Sequence, residues 1–201
     1  MRSFDEIFEV AADRHGGAMN VVTTLTDPLP TAVLRNVPLS VWLEAMIKAV
    51  FQAGFNRATI DAKWEAFRAA FDDFDPYRLA FYTDDEIAHL TSNAAIVRNG
   101  AKISAAVANA RFLISIDREC GDAPTHFADW PTEDQAGLLA LFGKRGARLG
   151  RVTAQRVCRM VGRDTYILIT DLCSRLTEEG IISASPKSKS SMLAVQSAFN
   201  Q

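Results

Sequence analysis

The chain has 201 residues, 48% of them hydrophobic, and 22 lysines and arginines against 24 acids give a formal net charge of −2. This composition excludes a disordered chain and is enough for a sizeable core. No apolar run reaches the ~18 residues of a membrane span, and the acid-bearing start MRSFDEIFEV lacks the apolar centre of an export signal, so a cytoplasmic protein without membrane contact is expected. Cys120, Cys158 and Cys173 are odd in number and far apart, and His15, His89 and His126 are equally scattered. Without CxxC or HxxxH spacing they read as reduced core or surface residues, and neither zinc nor another cofactor is expected.

The predicted elements are helical almost throughout. Ser3 and Glu6 form a capping box for SFDEIFEVAADRH, which Gly16-Gly17 stops. Residues 18–39, rich in proline and threonine, read as a connector. Ser40 then caps VWLEAMIKAVFQAG, whose apolar positions recur at helical spacing up to Gly54. A third helix, ATIDAKWEAFRAAF, ends near Asp75-Pro76, and Thr83 with Glu86 caps DDEIAHLTSN. Gly100 opens a long helix, AKISAAVANARFLISIDREC. Residues 121–131 read as a loop with a single turn at THFADW, and Thr132 starts EDQAGLLALFGK. LCSRLTEEG, a Ser/Lys connector and MLAVQSAFN close the chain. TYILI has strand propensity but no partner run, and tertiary context overrides such a preference. The count is nine or ten helices in one unit spanning 1–201.

The most unusual stretch is Gly143–Asp171. It holds Lys144, Arg145, Arg148, Arg151, Arg156, Arg159 and Arg163 with no acid before Asp164, in a chain of net negative charge. Gly146 and Gly150 separate two helix-like runs, which predicts a helix–turn–helix hairpin over about 134–162. Backbone N–H groups at the start of its second helix, near Thr153, can face an anion, and Arg148 and Arg151 can reach neighbouring phosphates. The bland alternative is a pair of helices whose cations form a solvated face. A second polar turn, Arg98, Asn99 and Lys102, is a further phosphate candidate. Beyond the hairpin, Asp171 follows an apolar run; it or Thr170 reads as the N-cap of LCSRLTEE.

Two other segments add to this. FQAGFNRATIDAKWEAFRAAFDDFDP (Phe51–Pro76) and IVRNGAKISAAVANARFL (Ile96–Leu113) resemble the type I 3-methyladenine DNA glycosylase family. The shared order is a QAG helix end, an FDP turn, an IVR…KI turn, a long Asn-Ala-bearing helix and a basic hairpin, over roughly residues 40–175. The resemblance implies an all-α, two-lobed helix–hairpin–helix architecture. It implies monomeric DNA repair by base excision, with hydrolysis of the N-glycosidic bond of an alkylated base flipped out of duplex DNA. Lys144, Arg145, Gly146, Arg148, Gly150, Arg151 and Thr153, with Arg98 and Lys102, would hold the DNA. Related hairpins also hold a monovalent cation through their carbonyls.

Phe51, Gln52, Phe55, Asn56 and Arg57 would line the base pocket, the aromatics by stacking and the amides by reading a base edge. Gly150 and Asp171 are 21 positions apart, close to the spacing of the wider superfamily's catalytic aspartate, so Asp171 would stabilise sugar charge or orient water. No lysine occupies the Schiff-base position near Arg151-Val152, which implies a monofunctional enzyme. The chain also departs from the family. A family glutamate falls on Ala49, a family tryptophan on Arg57, and the zinc ligands have no match. Loss of those groups leaves an alternative open, a catalytically inactive DNA-binding protein of the same fold.

Overall fold

A computed structural model describes residues 2–150 and 152–201. Among them are fourteen α-helices and no strand, the all-α class that the sequence implies. In chain order these are α1 (Phe4–His15), α2 (Ala18–Val22), α3 (Thr31–Leu34), α4 (Leu39–Gln52), α5 (Arg57–Ala62), α6 (Trp64–Ala70) and α7 (Pro76–Leu79). They continue as α8 (Asp84–Ser92), α9 (Gly100–Cys120), α10 (Ala123–Ala128), α11 (Gln135–Arg145), α12 (Val152–Val161), α13 (Thr170–Glu178) and α14 (Lys189–Phe199). No helix among the described residues is long and apolar enough to cross a membrane.

The chain divides into two compact units where its sequence reads as one. Residues 29–167 form the larger, and the two ends, 2–28 with 168–201, form the smaller. In the terminal unit α1 packs on α2, and the chain ends meet where the Arg2 amide donates to Glu179 Oε2 at 3.1 Å. In the larger unit α4 is the central rod, with α12 along one side and α9 along another, while α7, α8 and α10 pack on α9.

Aromatic side chains build that unit's core in two clusters. Trp42, Phe127 and Phe142 interlock, with Trp42 and Phe127 centroids 4.9 Å apart. Phe51, Phe67, Phe71, Phe74 and Trp64 form the other, with Phe51 edge-on to Phe67 at 4.6 Å. Such offset and edge contacts add to what area burial alone supplies.

Both predicted capping boxes of the N-terminal half form, Ser3/Glu6 on α1 and Thr83/Glu86 on α8. Other boundaries differ from expectation. The connector contains α2 and α3. Ser40 lies inside the first turn of α4, whose N-cap is Pro38. The expected third helix breaks at Lys63 into α5 and α6, and Asn56 caps the first piece through its side chain. Asn99 and Asp134 cap α9 and α11. TYILI pairs with no strand, and α13 begins at Thr170 with Ile169 as an N-cap that makes no side-chain bond. Neither Thr170 nor Asp171 caps that helix.

The FDP turn is conformationally unusual. Asp72, Asp73 and Phe74 take φ values of 47°, 53° and 59° in succession, a left-handed run that costs ~1–2 kcal/mol per residue for L-amino acids. It is held from several sides. Phe74 is fully buried, Tyr82 Oη donates to Asp72 Oδ2 at 2.8 Å, and Arg78 lies 3.4 Å from the same carboxylate. Burial, followed by the bond to Asp72, pushes the Tyr82 hydroxyl well above its ordinary pKa.

Candidate functional site

Helices α11 and α12 flank a short connection, whose described residues are 146–150, in the place predicted for the hairpin. The loop is fixed from beneath. Asn109, fully buried on α9, accepts from the Ala147 N–H at 2.7 Å and donates to the Ala147 carbonyl at 3.1 Å. Leu149 is also fully buried, so the loop is pinned at two points. Gly146 is required by space: a Cβ there would come within 2.6 Å of Leu149 Cδ1 and 2.7 Å of the Phe142 carbonyl oxygen. Gly150 has open space around it, and its carbonyl accepts from the Thr153 N–H at 3.2 Å. Lys144, in the last turn of α11, and Arg148, in the pinned loop with a φ of 59°, face solvent.

Not every cation of the basic stretch is available to a ligand. Arg145 is exposed, yet its guanidinium forks onto both Glu119 oxygens at 2.6 and 2.5 Å and onto Ser115. Arg163 is buried and donates to the carbonyls of Phe127, Ala128 and Trp130, closing the end of α10. Arg159 donates to the Thr165 carbonyl. Arg151 lies outside the described residues. Among the described residues Lys144 and Arg148 are exposed at the hairpin, with half-buried Thr153 and Arg156 beside them on α12.

Lys102 is a correction. It is 6% exposed, and its ammonium donates to the carbonyls of Phe51 at 3.1 Å and Ala53 at 2.7 Å, capping the C-terminus of α4. It also sits 4.3 Å from the Phe55 ring centroid, a cation–π contact. With two of its three N–H groups on these carbonyls and its third enclosed by burial, this ammonium is not presented to a phosphate. Burial lowers its pKa, and the Arg148 charge acts in the same direction. Lys102 and the loop-holding Asn109 share one face of α9, so the α4 end and the hairpin loop meet the same side of that helix. Arg98 is exposed on the neighbouring turn.

The five base-pocket candidates separate. Phe51 is fully buried in the aromatic cluster and lines no pocket, because the α4 stripe that carries it faces the core. Asn56 is spent on capping α5. Phe55 is 42% exposed. Gln52 and Arg57 line an open cleft of about 510 Å³ along α4, with Val41, Glu44, Ala45, Lys48, Asp61 and Met160.

The cleft's polar groups interlock. Gln52 Nε2 donates to Asp61 Oδ1 at 3.1 Å, and Lys48 Nζ pairs with the same oxygen at 3.1 Å. Glu44 Oε1 accepts from Trp64 Nε1 and from Arg68, both at 2.7 Å. Lys48, Asp61 and Glu44 were not candidates from sequence. The i, i+4 spacing of Lys48 and Gln52 puts them on one face, but that face looks like any solvated stripe until α5 folds over it. Ala49, where the family has a glutamate, is 1% exposed and brings no polar group to the cleft. Asp171 is exposed in the first turn of α13, within the terminal unit.

Residues 40–136, from α4 to the start of α11, match the model of the Methyladenine glycosylase family. That match spans just under half of the chain. A stretch of 67 residues is 34% identical to DNA-3-methyladenine glycosylase 1 of Escherichia coli, covering 33% of this chain and 36% of that protein. A stretch of 79 residues is 34% identical to DNA-3-methyladenine glycosylase of Haemophilus influenzae, covering 39% and 40%. The matched stretches thus span well under half of either relative. Among solved structures, a 3-methyladenine DNA glycosylase I superposes with a TM-score of 0.52 at 26% identity, over 60% of this chain and 77% of that one. The family enzyme from Staphylococcus aureus, at 24% identity and a TM-score of 0.53 over 60% and 74%, shares the fold.

Proposed function

We propose that this protein is a monofunctional DNA glycosylase, active as a monomer and without a cofactor, that hydrolyses the N-glycosidic bond of an alkylated base extruded from duplex DNA. The observation that carries this reading is the pinned hairpin loop, with Lys144 and Arg148 facing solvent, on the same side as the α4 end where the cleft holds Gln52 and Arg57. Phosphate contacts of this kind position a duplex without reading its sequence. Extruding a nucleotide costs a few kcal/mol, least for a damaged base. In this reading Asp171 supplies the carboxylate that stabilises oxocarbenium charge at the sugar or orients the attacking water.

A second reading is a DNA-binding protein that grips without cutting. It is favoured by one feature of the cleft, whose two carboxylates, Glu44 and Asp61, are each already paired with a cation.

The deciding experiment is base release from methylated duplex DNA by the wild-type protein and the Asp171→Asn variant, with circular dichroism as a check on folding. Release by the wild type and its loss in a folded variant support the enzyme and its acid. Undiminished release by the variant removes Asp171 from the mechanism. Salt-sensitive binding with no release from any alkylated or deaminated duplex establishes the second reading. In either case Arg148→Ala lowers affinity evenly across sequences and reduces the slope of log affinity against log salt by about one.

A further inference from the structure

Among the ionisable groups lining the cleft beside α4, Arg57 stands without a charged partner among the described residues, and that bears on which alkylated base the cleft would accept. Four ionisable side chains line it: Glu44, Lys48, Arg57 and Asp61. Asp61 is neutralised by Lys48 at 3.1 Å, and Glu44 by Arg68, which reaches it from α6 at 2.7 Å. Arg57 is exposed and has no ion-pair or hydrogen-bond partner among the described residues. Gln52 spends its amide N–H on Asp61 and keeps its carbonyl oxygen as an acceptor. Val41, Ala45 and Met160 supply the apolar wall. The C-terminal end of α4 is held by Lys102 on the α9 face that also holds the hairpin loop through Asn109, so the Gln52–Arg57 end of the cleft is the one nearest that loop.

We infer that Arg57 makes this cleft selective for an electroneutral alkylated purine over a cationic one. The inference rests on the glycosylase reading and deepens it. A base that already carries positive charge in the nucleoside is repelled by an unpaired guanidinium at close range in a partly desolvated cleft. With a neutral base the sign reverses. As the C1′–N9 bond breaks, its electron pair stays on N9 and the departing base becomes anionic. Water adds to C1′ and releases a proton, which neutralises the base. A fixed cation beside the purine stabilises the charge that develops in that step and nothing in the ground state, which is the condition for a rate effect. A cationic base leaves as a neutral molecule and gains nothing from Arg57. Arg57 is then a specificity-determining residue, and its guanidinium N–H groups can donate to a ring acceptor while the Gln52 oxygen accepts from a base N–H.

The test compares single-turnover release from two duplexes, one carrying ethenoadenine, a neutral adduct, and one carrying 3-methyladenine, cationic as the nucleoside. The proteins are wild type, Arg57→Gln and Arg57→Lys. The expected result is that Arg57→Gln slows ethenoadenine release by ~10–100-fold, the range for removing a donor aimed at a developing anion. Release of 3-methyladenine should rise as the repulsion is removed, and Arg57→Lys should restore part of the neutral-base rate. Equal losses on both duplexes would make Arg57 a backbone contact and overturn the inference, as would unchanged ethenoadenine release. If the wild type binds both duplexes and releases neither base, the glycosylase reading itself falls and takes this inference with it. If it releases 3-methyladenine alone, only the selectivity fails.

Discussion

Replacing Asn109 with alanine tests whether the hairpin is held from below. The side chain is fully buried, and its amide satisfies both the N–H and the carbonyl of Ala147, at 2.7 and 3.1 Å. The substitution leaves two backbone groups without partners. A buried orphan costs about 1–3 kcal/mol, and because Ala147 is itself half-buried the lower part of that range applies to each. The total is about 2–4 kcal/mol, or roughly 5–12 °C in Tm for a chain of this size. Asn109→Asp is expected to be no better, since it keeps the acceptor but turns a carboxylate oxygen toward the Ala147 carbonyl. The three tryptophans, Trp42, Trp64 and Trp130, all lie in the 29–167 unit, so urea unfolding followed by their fluorescence reads that unit alone. The midpoint should fall with the slope unchanged, and DNA affinity should fall with it as the loop loosens. A stability change below ~0.5 kcal/mol, within the spread of ordinary surface substitutions, would refute the clamp.

Three further predictions follow from the same geometry. Gly146→Ala should cost about 1–3 kcal/mol because its Cβ meets a backbone carbonyl at 2.7 Å and something must shift, whereas Gly150→Ala, with nothing within 4 Å, should be neutral; denaturation midpoints of the pair decide it. Tyr82 has a folded pKa raised above its ordinary value of 10, so its contribution is complete below that value and declines as pH rises past it, where the unfolded chain gives up its proton first. The stability difference between wild type and Tyr82→Phe should accordingly be flat below pH 10 and shrink above it, in urea titrations across pH 8–11. Cys158 is fully buried, and burial pushes its thiol up to about 11, while Cys120 is exposed; a thiol reagent at pH 8 should label Cys120 in the folded protein and reach Cys158 only on unfolding.

Much of the architecture was legible in the residues because its determinants are local. Caps at Ser3 and Thr83, glycine stops and helical spacing act within one or two turns, and they fix element type wherever the chain folds. The ordered motifs from the QAG helix end to the basic hairpin carried the family resemblance in the same way. The basic stretch was legible as charge but not as function. Seven cations read alike along the stretch, yet Arg163 closes α10, Arg145 forks onto Glu119 and Arg159 donates to the Thr165 carbonyl. Which of them meets solvent depends on segments far away in sequence.

The base-pocket candidates show the same division. Gln52 and Phe51 are neighbours on α4, one lining the cleft and the other filling the core, and helical periodicity alone ranks them equally. Residue type and short spacing therefore determined by themselves that this chain is helical, where its caps lie and that a cation-rich turn links α11 to α12. Only the tertiary structure decided which cations are spent internally and that Asn109 holds the turn. It also left Arg57 as the unpaired charge in the cleft. Burial and pairing are pairwise properties of residues tens of positions apart, and they come into being only when those residues meet.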